Sequence, residues 1–147
     1  MSPTLWNESD RAALLTRVHN LRPDMTPAWG RMNATQMITH LNEWMKLATG
    51  ELTAASRNLP MRYPVIKEIV IRMPWPKGVP TAPELLARES SGWESERADF
   101  IERLGSFGKL KSKSHWPLHP AFGRLSTRTW GVLGYKHTDH HLRQFGV

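Results

Sequence analysis

The chain contains no cysteine. That excludes disulfides, thiolate metal sites and cysteine nucleophiles, and it fits a reducing compartment. No apolar run reaches the roughly 20 residues needed to span a bilayer, so no membrane partner is expected. The opening Met1-Ser2-Pro3-Thr4-Leu5-Trp6-Asn7-Glu8 lacks the basic-then-apolar form of a secretory signal, and the expected location is the cytoplasm. Acidic residues are in deficit, 13 against 20 Lys and Arg, for a formal net charge of +7. Most of that charge is scattered. The one tight cluster, Lys109, Lys111 and Lys113, lies in a Gly/Ser-rich stretch with no zinc-finger, RNP or basic-zipper pattern. It reads as a solvated loop, and no specific nucleic-acid partner is expected. There is also no nucleophile elbow, phosphate-binding loop or dinucleotide fingerprint.

What the chain does have is helical periodicity. At 147 residues it reads as a single domain, 1–147, long enough to bury a core. Asn7 or Ser9 can cap a first helix with Leu14, Leu15, Val18 and Leu21 as its apolar stripe, stopped by Pro23 and Pro27. Asn33 caps a second helix running to about Leu47, with Met37, Ile38, Leu41, Trp44, Met45 and Ala48 inward and Gly50 near its end. Val65, Ile66, Ile69, Val70 and Met73 form a shorter apolar segment, helical in spacing, although its β-branched residues leave a strand open. Four prolines between Pro74 and Pro83 exclude regular structure there, and a loop this long suggests a lid or a wrap. Ser90 or Ser91 starts another helix, with Trp93, Ala98, Ile101 and Leu104 as periodic positions and Gly105 as its stop. A second long loop, Ser106 to Leu125, leads to Ser126, which caps a last helix ending at Gln144 or Phe145 with Gly146 as C-cap. The expected fold is all-α: an antiparallel four-helix bundle with a short extra helix and two long loops.

Three of the seven histidines fall in the tail, Lys136-His137-Thr138-Asp139-His140-His141. His137 and His141 are one helical turn apart, so a helix holds both imidazoles on one face, roughly 6 Å apart along the axis. They continue the stripe Trp130, Leu133, His137, His141, Gln144 that should face the core. His40, inside the second helix, is the best source of a third nitrogen. Three neutral imidazoles plus water make an open, catalytic-type site for zinc or another borderline divalent ion, and all-nitrogen ligation argues against calcium or magnesium. A single inward histidine is more often a hydrogen-bonded core residue; the spaced pair is what favours a metal. Gln36, Glu43 or Asp139 are the expected acceptors for the outer ring nitrogens. His140 reads as an accessory, core or solvated group. His19, His115 and His119 have no partner at ligand spacing and read as structural or loop residues, with a reach of His119 into the site from its loop as the alternative.

The segments Trp29-Gly30-Arg31-Met32-Asn33-Ala34-Thr35-Gln36-Met37 through His40, His119-Pro120-Ala121-Phe122-Gly123, and Tyr135 to Gly146 resemble the DinB/YfiT-like superfamily of metal-binding four-helix bundles, specifically one of the domain-of-unknown-function families grouped with it. The resemblance spans nearly the whole chain, and the terminal histidine motif is its most specific part. It implies an up-down-down-up bundle, a ligand on the second helix at His40 and two on the last at His137 and His141. It also implies a homodimer, to which the seven tryptophans add apolar surface to spare. Members of the superfamily include thiol-dependent S-transferases and metal-dependent hydrolases. The implied function is thus a metal-dependent enzyme with zinc or nickel, acting on a small-molecule substrate such as a low-molecular-weight thiol. The alternative is a non-catalytic metal- or ligand-binding bundle.

Overall fold

A computed structural model describes residues 1–147. It is all-helical, with α1 at Glu8–His19, α2 at Ala34–Thr49, α3 at Pro64–Arg72, α4 at Trp93–Ser106 and α5 at Thr127–Gln144. Three short 3-10 turns, Pro60–Arg62, Pro83–Leu85 and Phe107–Ser112, punctuate the connections. There is no strand, only an isolated bridge between His119 and Gly123. No helix is long and apolar enough to cross a membrane.

The helix starts follow local chemistry. Asn33 and Gln36 form a reciprocal capping box at α2, and the Ser126 hydroxyl accepts from the Thr129 N–H at α5. Asn7 is the N-cap residue of α1, but its side chain makes no cap bond. At α4 the cap position is Gly92 rather than Ser90 or Ser91. Ser91 is nonetheless held close, because its N–H and hydroxyl both donate to the Glu96 carboxylate. Gly50, at φ +83°, ends α2 in the left-handed region that a side chain would resist.

Gly105 does not stop α4. The helix passes through it to Ser106 and continues as the 3-10 turn Phe107–Ser112. Leu104 and Phe107 are both buried, and their packing carries the chain past a residue that alone would favour termination. The expected loop from Ser106 is therefore helical for its first third. Nor is the lysine cluster uniformly solvated. Lys109 and Lys111 are exposed, but the Lys113 ammonium donates to the Ala48 carbonyl near the negative end of α2 and lies over Trp116.

α2 packs against α4 and α5, and α1 packs against the same two helices. The buried apolar side chains form one contiguous cluster, with Trp130, Phe100, Phe107, Met37 and Leu41 among its fully buried members. Two glycines let the N-terminal segment lie against α5. Leu5 N–H donates to the Gly131 carbonyl and the Trp6 indole donates to the Thr127 carbonyl. A Cβ on Gly131 would collide with the Trp6 indole, and one on Gly134 would stand 2.5 Å from Leu5 Cδ1.

α3 is helical, and it sits outside this core. Only Ile71 is buried, whereas Tyr63, Val65, Ile66, Ile69 and Met73 face solvent. Its C-terminal end is tied down by Lys136 of α5, whose ammonium donates to the carbonyls of Val70, Ile71 and Met73. α3 and the residues at its two ends thus supply most of the exposed large apolar side chains, with Met1, Val79, Leu86 and Leu118 elsewhere; no tryptophan is among them.

Candidate metal centre

α2 is nearly all buried on one side, and His40 sits in the middle of that side. α5 presents His137 and His141 one turn apart towards it. The three histidines are 2%, 8% and 8% exposed. Their ring centroids are 4.8–4.9 Å apart in all three pairs, with interplanar angles of 87°, 79° and 78°. Nearly perpendicular rings converging on one point suit a metal better than a stacked core. His40 Nε2 and His137 Nε2 are 3.0 Å apart. Two nitrogens on one tetrahedral zinc at ordinary bond lengths stand roughly 3.3 Å apart. One nitrogen from each of the three rings lies within 4.8 Å of the others, so His40, His137 and His141 are positioned to hold a metal ion.

The outer nitrogens decide where the lone pairs point. His40 Nδ1 is 3.2 Å from the Leu85 carbonyl, which can only accept. The proton therefore sits on Nδ1, and Nε2 offers a lone pair to the centre. Gln144 Nε2 donates to the Trp29 carbonyl, which turns the Gln144 Oε1 towards His141 Nδ1 at 2.8 Å. His141 is thereby held in the same tautomer. Two of the three ligands are pre-set, as outer partners do in metal sites. His137 differs. Its Nδ1 is buried without a partner, and its Nε2 donates to the His40 lone pair. To ligate, His137 must move its proton to Nδ1.

Burial also keeps the cluster neutral. It pushes the His137 imidazolium well below its usual range, helped by His141 and His40. His141 is lowered to about 3 by burial and by His40, against the Gln144 hydrogen bond. His40 is lowered by burial despite the Leu85 bond and the nearby Glu43 charge. Neutral imidazoles are the form that binds metal.

The expected outer partners are elsewhere. Gln36 is consumed by the capping box. Glu43 pairs with Lys46 and Arg88, and Asp139 with Arg17 and Arg143. The acceptors used are a loop carbonyl, for which no side-chain signal exists, and Gln144, which stands on the same stripe as its histidine. His119 does not join the centre. Its Nδ1 accepts the Ala121 and Phe122 N–H groups, and its ring packs on Phe122 and Trp130. Burial lowers it to about 3. His140 is half-buried between Trp29 and Trp75, 5.2 Å from the His141 ring. His19 and His115 are exposed.

The proline-rich loop wraps the centre. Trp75 lies 6.3 Å from His137, with Lys136 over its indole, and Leu85 supplies the carbonyl to His40. A cleft of about 420 Å³ has walls that include Trp75, Tyr135, Lys136, His140 and Arg143, but none of the three histidines. A larger hollow of about 530 Å³ lies on the exposed face of α3, away from the histidines.

No protein-family model, curated protein or solved structure matches the chain, so its residues alone carry the reading of this site.

Proposed function

We propose that the chain is a divalent-metal protein of the DinB/YfiT-like kind, a four-helix bundle whose centre is built by His40, His137 and His141. The observation that carries this is the convergence of three buried, neutral imidazoles, two of them locked with lone pairs inward. The donor set fits zinc or nickel and leaves a coordination position without a protein ligand. A divalent ion held there supplies Lewis-acid chemistry, lowering the pKa of a thiol or water at that open position. On this reading the function is that of a metal-dependent S-transferase or hydrolase acting on a small molecule. Leu85 and Gln144 orient the imidazoles. Trp75 and the proline-rich loop limit water around them.

Metal analysis of untagged protein tests the centre. The parent should hold close to one zinc or nickel per chain and the three-fold His→Ala variant none; equal retention by both would reject the site. An assay of metal-loaded protein with thiol–electrophile pairs, esters and amides tests the enzyme. Turnover lost on His137→Ala in a folded protein supports catalysis. Silence across the panel favours a non-catalytic metal- or ligand-binding bundle, a reading helped by the nearby carboxylates, since Glu43 and Asp139 are both ion-paired.

We also propose a homodimer through α3. Its exposed Val65, Ile69 and Met73 form the kind of apolar surface that monomers seldom leave open. A solution mass of twice 16.9 kDa is the expected result, and a mass near 16.9 kDa at tens of micromolar would exclude it. Nucleic-acid binding should be weak, salt-sensitive and independent of sequence, since its support is dispersed charge alone.

A further inference from the structure

The loop that gives His40 its acceptor is itself held by an ionic clamp on two buried carboxylates. Arg88 donates through Nε to Glu43 at 2.7 Å, and through Nη1 and Nη2 to Glu96 at 2.7 and 3.0 Å. Both carboxylates are almost fully buried, with side-chain exposures of 5% and 2%. Glu96, on α4, also accepts from Asn42 of α2 and from the Ser91 N–H and hydroxyl. Glu43 stands one helical turn from His40 on α2, so the clamp closes directly beside the ligand. Arg88 follows the 3-10 turn Pro83–Leu85 by three residues, and Glu84 in that turn accepts from the Ala55 N–H. The Leu85 carbonyl is thus suspended between two anchors, of which Arg88 is the one set on buried carboxylates.

A core of this size has no packing need for two buried carboxylates and a guanidinium. Buried ion pairs are seldom more stabilising than the apolar residues that could replace them. What this one does that apolar residues would not is fix loop position through directional bonds. The guanidinium fork spans two carboxylates on different helices, which an ammonium cannot match.

We propose that Arg88 is a positioning residue for the metal centre: by locking the loop to Glu43 and Glu96 it aims the Leu85 carbonyl at His40 and so selects the tautomer whose Nε2 is free to ligate. This rests on the reading of the three histidines as a metal site, and its test separates the two. Long-range proton–nitrogen NMR of metal-free protein at pH 8 reports the His40 tautomer directly. The parent should show His40 protonated on Nδ1. The variant Arg88→Met/Glu43→Gln/Glu96→Gln removes the clamp without stranding a buried charge, and should show both tautomers while keeping helix content and cooperative unfolding. Its cobalt(II) affinity should fall roughly 10–100-fold, the scale of an outer-partner loss. Its cobalt absorption bands should shift as well. Arg88→Lys, the milder change, should give the same effects at smaller size. A His40 tautomer unchanged in both variants, with cobalt affinity and spectrum as in the parent, would overturn the role of Arg88 and leave the metal centre standing. Failure of the parent to bind cobalt would sink the metal reading, while the tautomer comparison would still decide whether the clamp sets His40.

Discussion

Acid should unfold the metal-free protein earlier than its carboxylates would dictate. His119 and His141 are each held to about 3 by burial, against an ordinary value of 6.5. The folded state keeps them neutral, whereas the unfolded chain protonates both as the pH drops through 6.5. Between these limits the unfolded state binds more protons, so stability is fully present above 6.5 and is lost as pH falls towards 3. Each group removes about 1.4 kcal/mol per pH unit in that window. At pH 5 the two together remove about 4 kcal/mol, a large share of the 5–15 kcal/mol typical of a domain. With a urea slope near 2 kcal/mol/M, the midpoint should fall by about 2 M between pH 7 and pH 5. Urea titrations of metal-stripped protein across this range measure it. His119→Asn keeps an acceptor for the Ala121 and Phe122 N–H groups but cannot titrate, and should lower the slope by about one proton. A midpoint that stays level from pH 7 to pH 5 would show that these imidazoles are not desolvated as described.

Other perturbations separate the site from the scaffold. Gln144→Leu removes the acceptor that fixes His141, and calorimetric zinc titration should show affinity reduced roughly 10–100-fold. Saturating zinc at about 100 times its Kd should add about 2.7 kcal/mol to stability, and this gain should vanish in His40→Ala when followed by thermal denaturation. Gly131→Ala gains helix propensity but drives a methyl into the Trp6 indole; the outcome should be a net loss of about 1–3 kcal/mol, read as a lower melting temperature. Ile69→Glu should leave zinc affinity unchanged while abolishing any dimer seen by sedimentation.

Two of the helices are legible from local rules because they begin where a side chain caps them. Asn33 and Ser126 announce α2 and α5 before any packing is considered. The misreadings occur where tertiary contacts outweigh local preference. Gly105 is overridden by Leu104 and Phe107 on either side. The apolar segment around Ile69 resembles a core strand or helix, yet the core is already filled by α1, α2, α4 and α5, so α3 is left outside with one buried residue. Periodicity says that a face is apolar; it does not say what covers it.

The same division runs through the candidate metal centre formed by the three histidines. Its donors are visible because they are side chains at helical spacing: His137 and His141 a turn apart, His40 on the inward stripe of α2. Their supports divide by kind. Gln144 shares a stripe with His141, so the geometry of one helix suffices to find it. Leu85 supplies only a backbone carbonyl, a group every residue carries, and it reaches His40 from 45 positions away. No residue type marks such a partner. What could mark it is the charge pattern around it: a buried Glu43 one turn from His40 needs a cation, and α2 offers only Lys46, which is already near the helix end. Glu43 takes a second cation, Arg88, from the loop, and a loop tied to that position brings its carbonyls to the histidine as well. An acidic residue beside a candidate ligand thus marks where the loop that completes the site is tied, even where the carbonyl contact itself leaves no trace in the sequence.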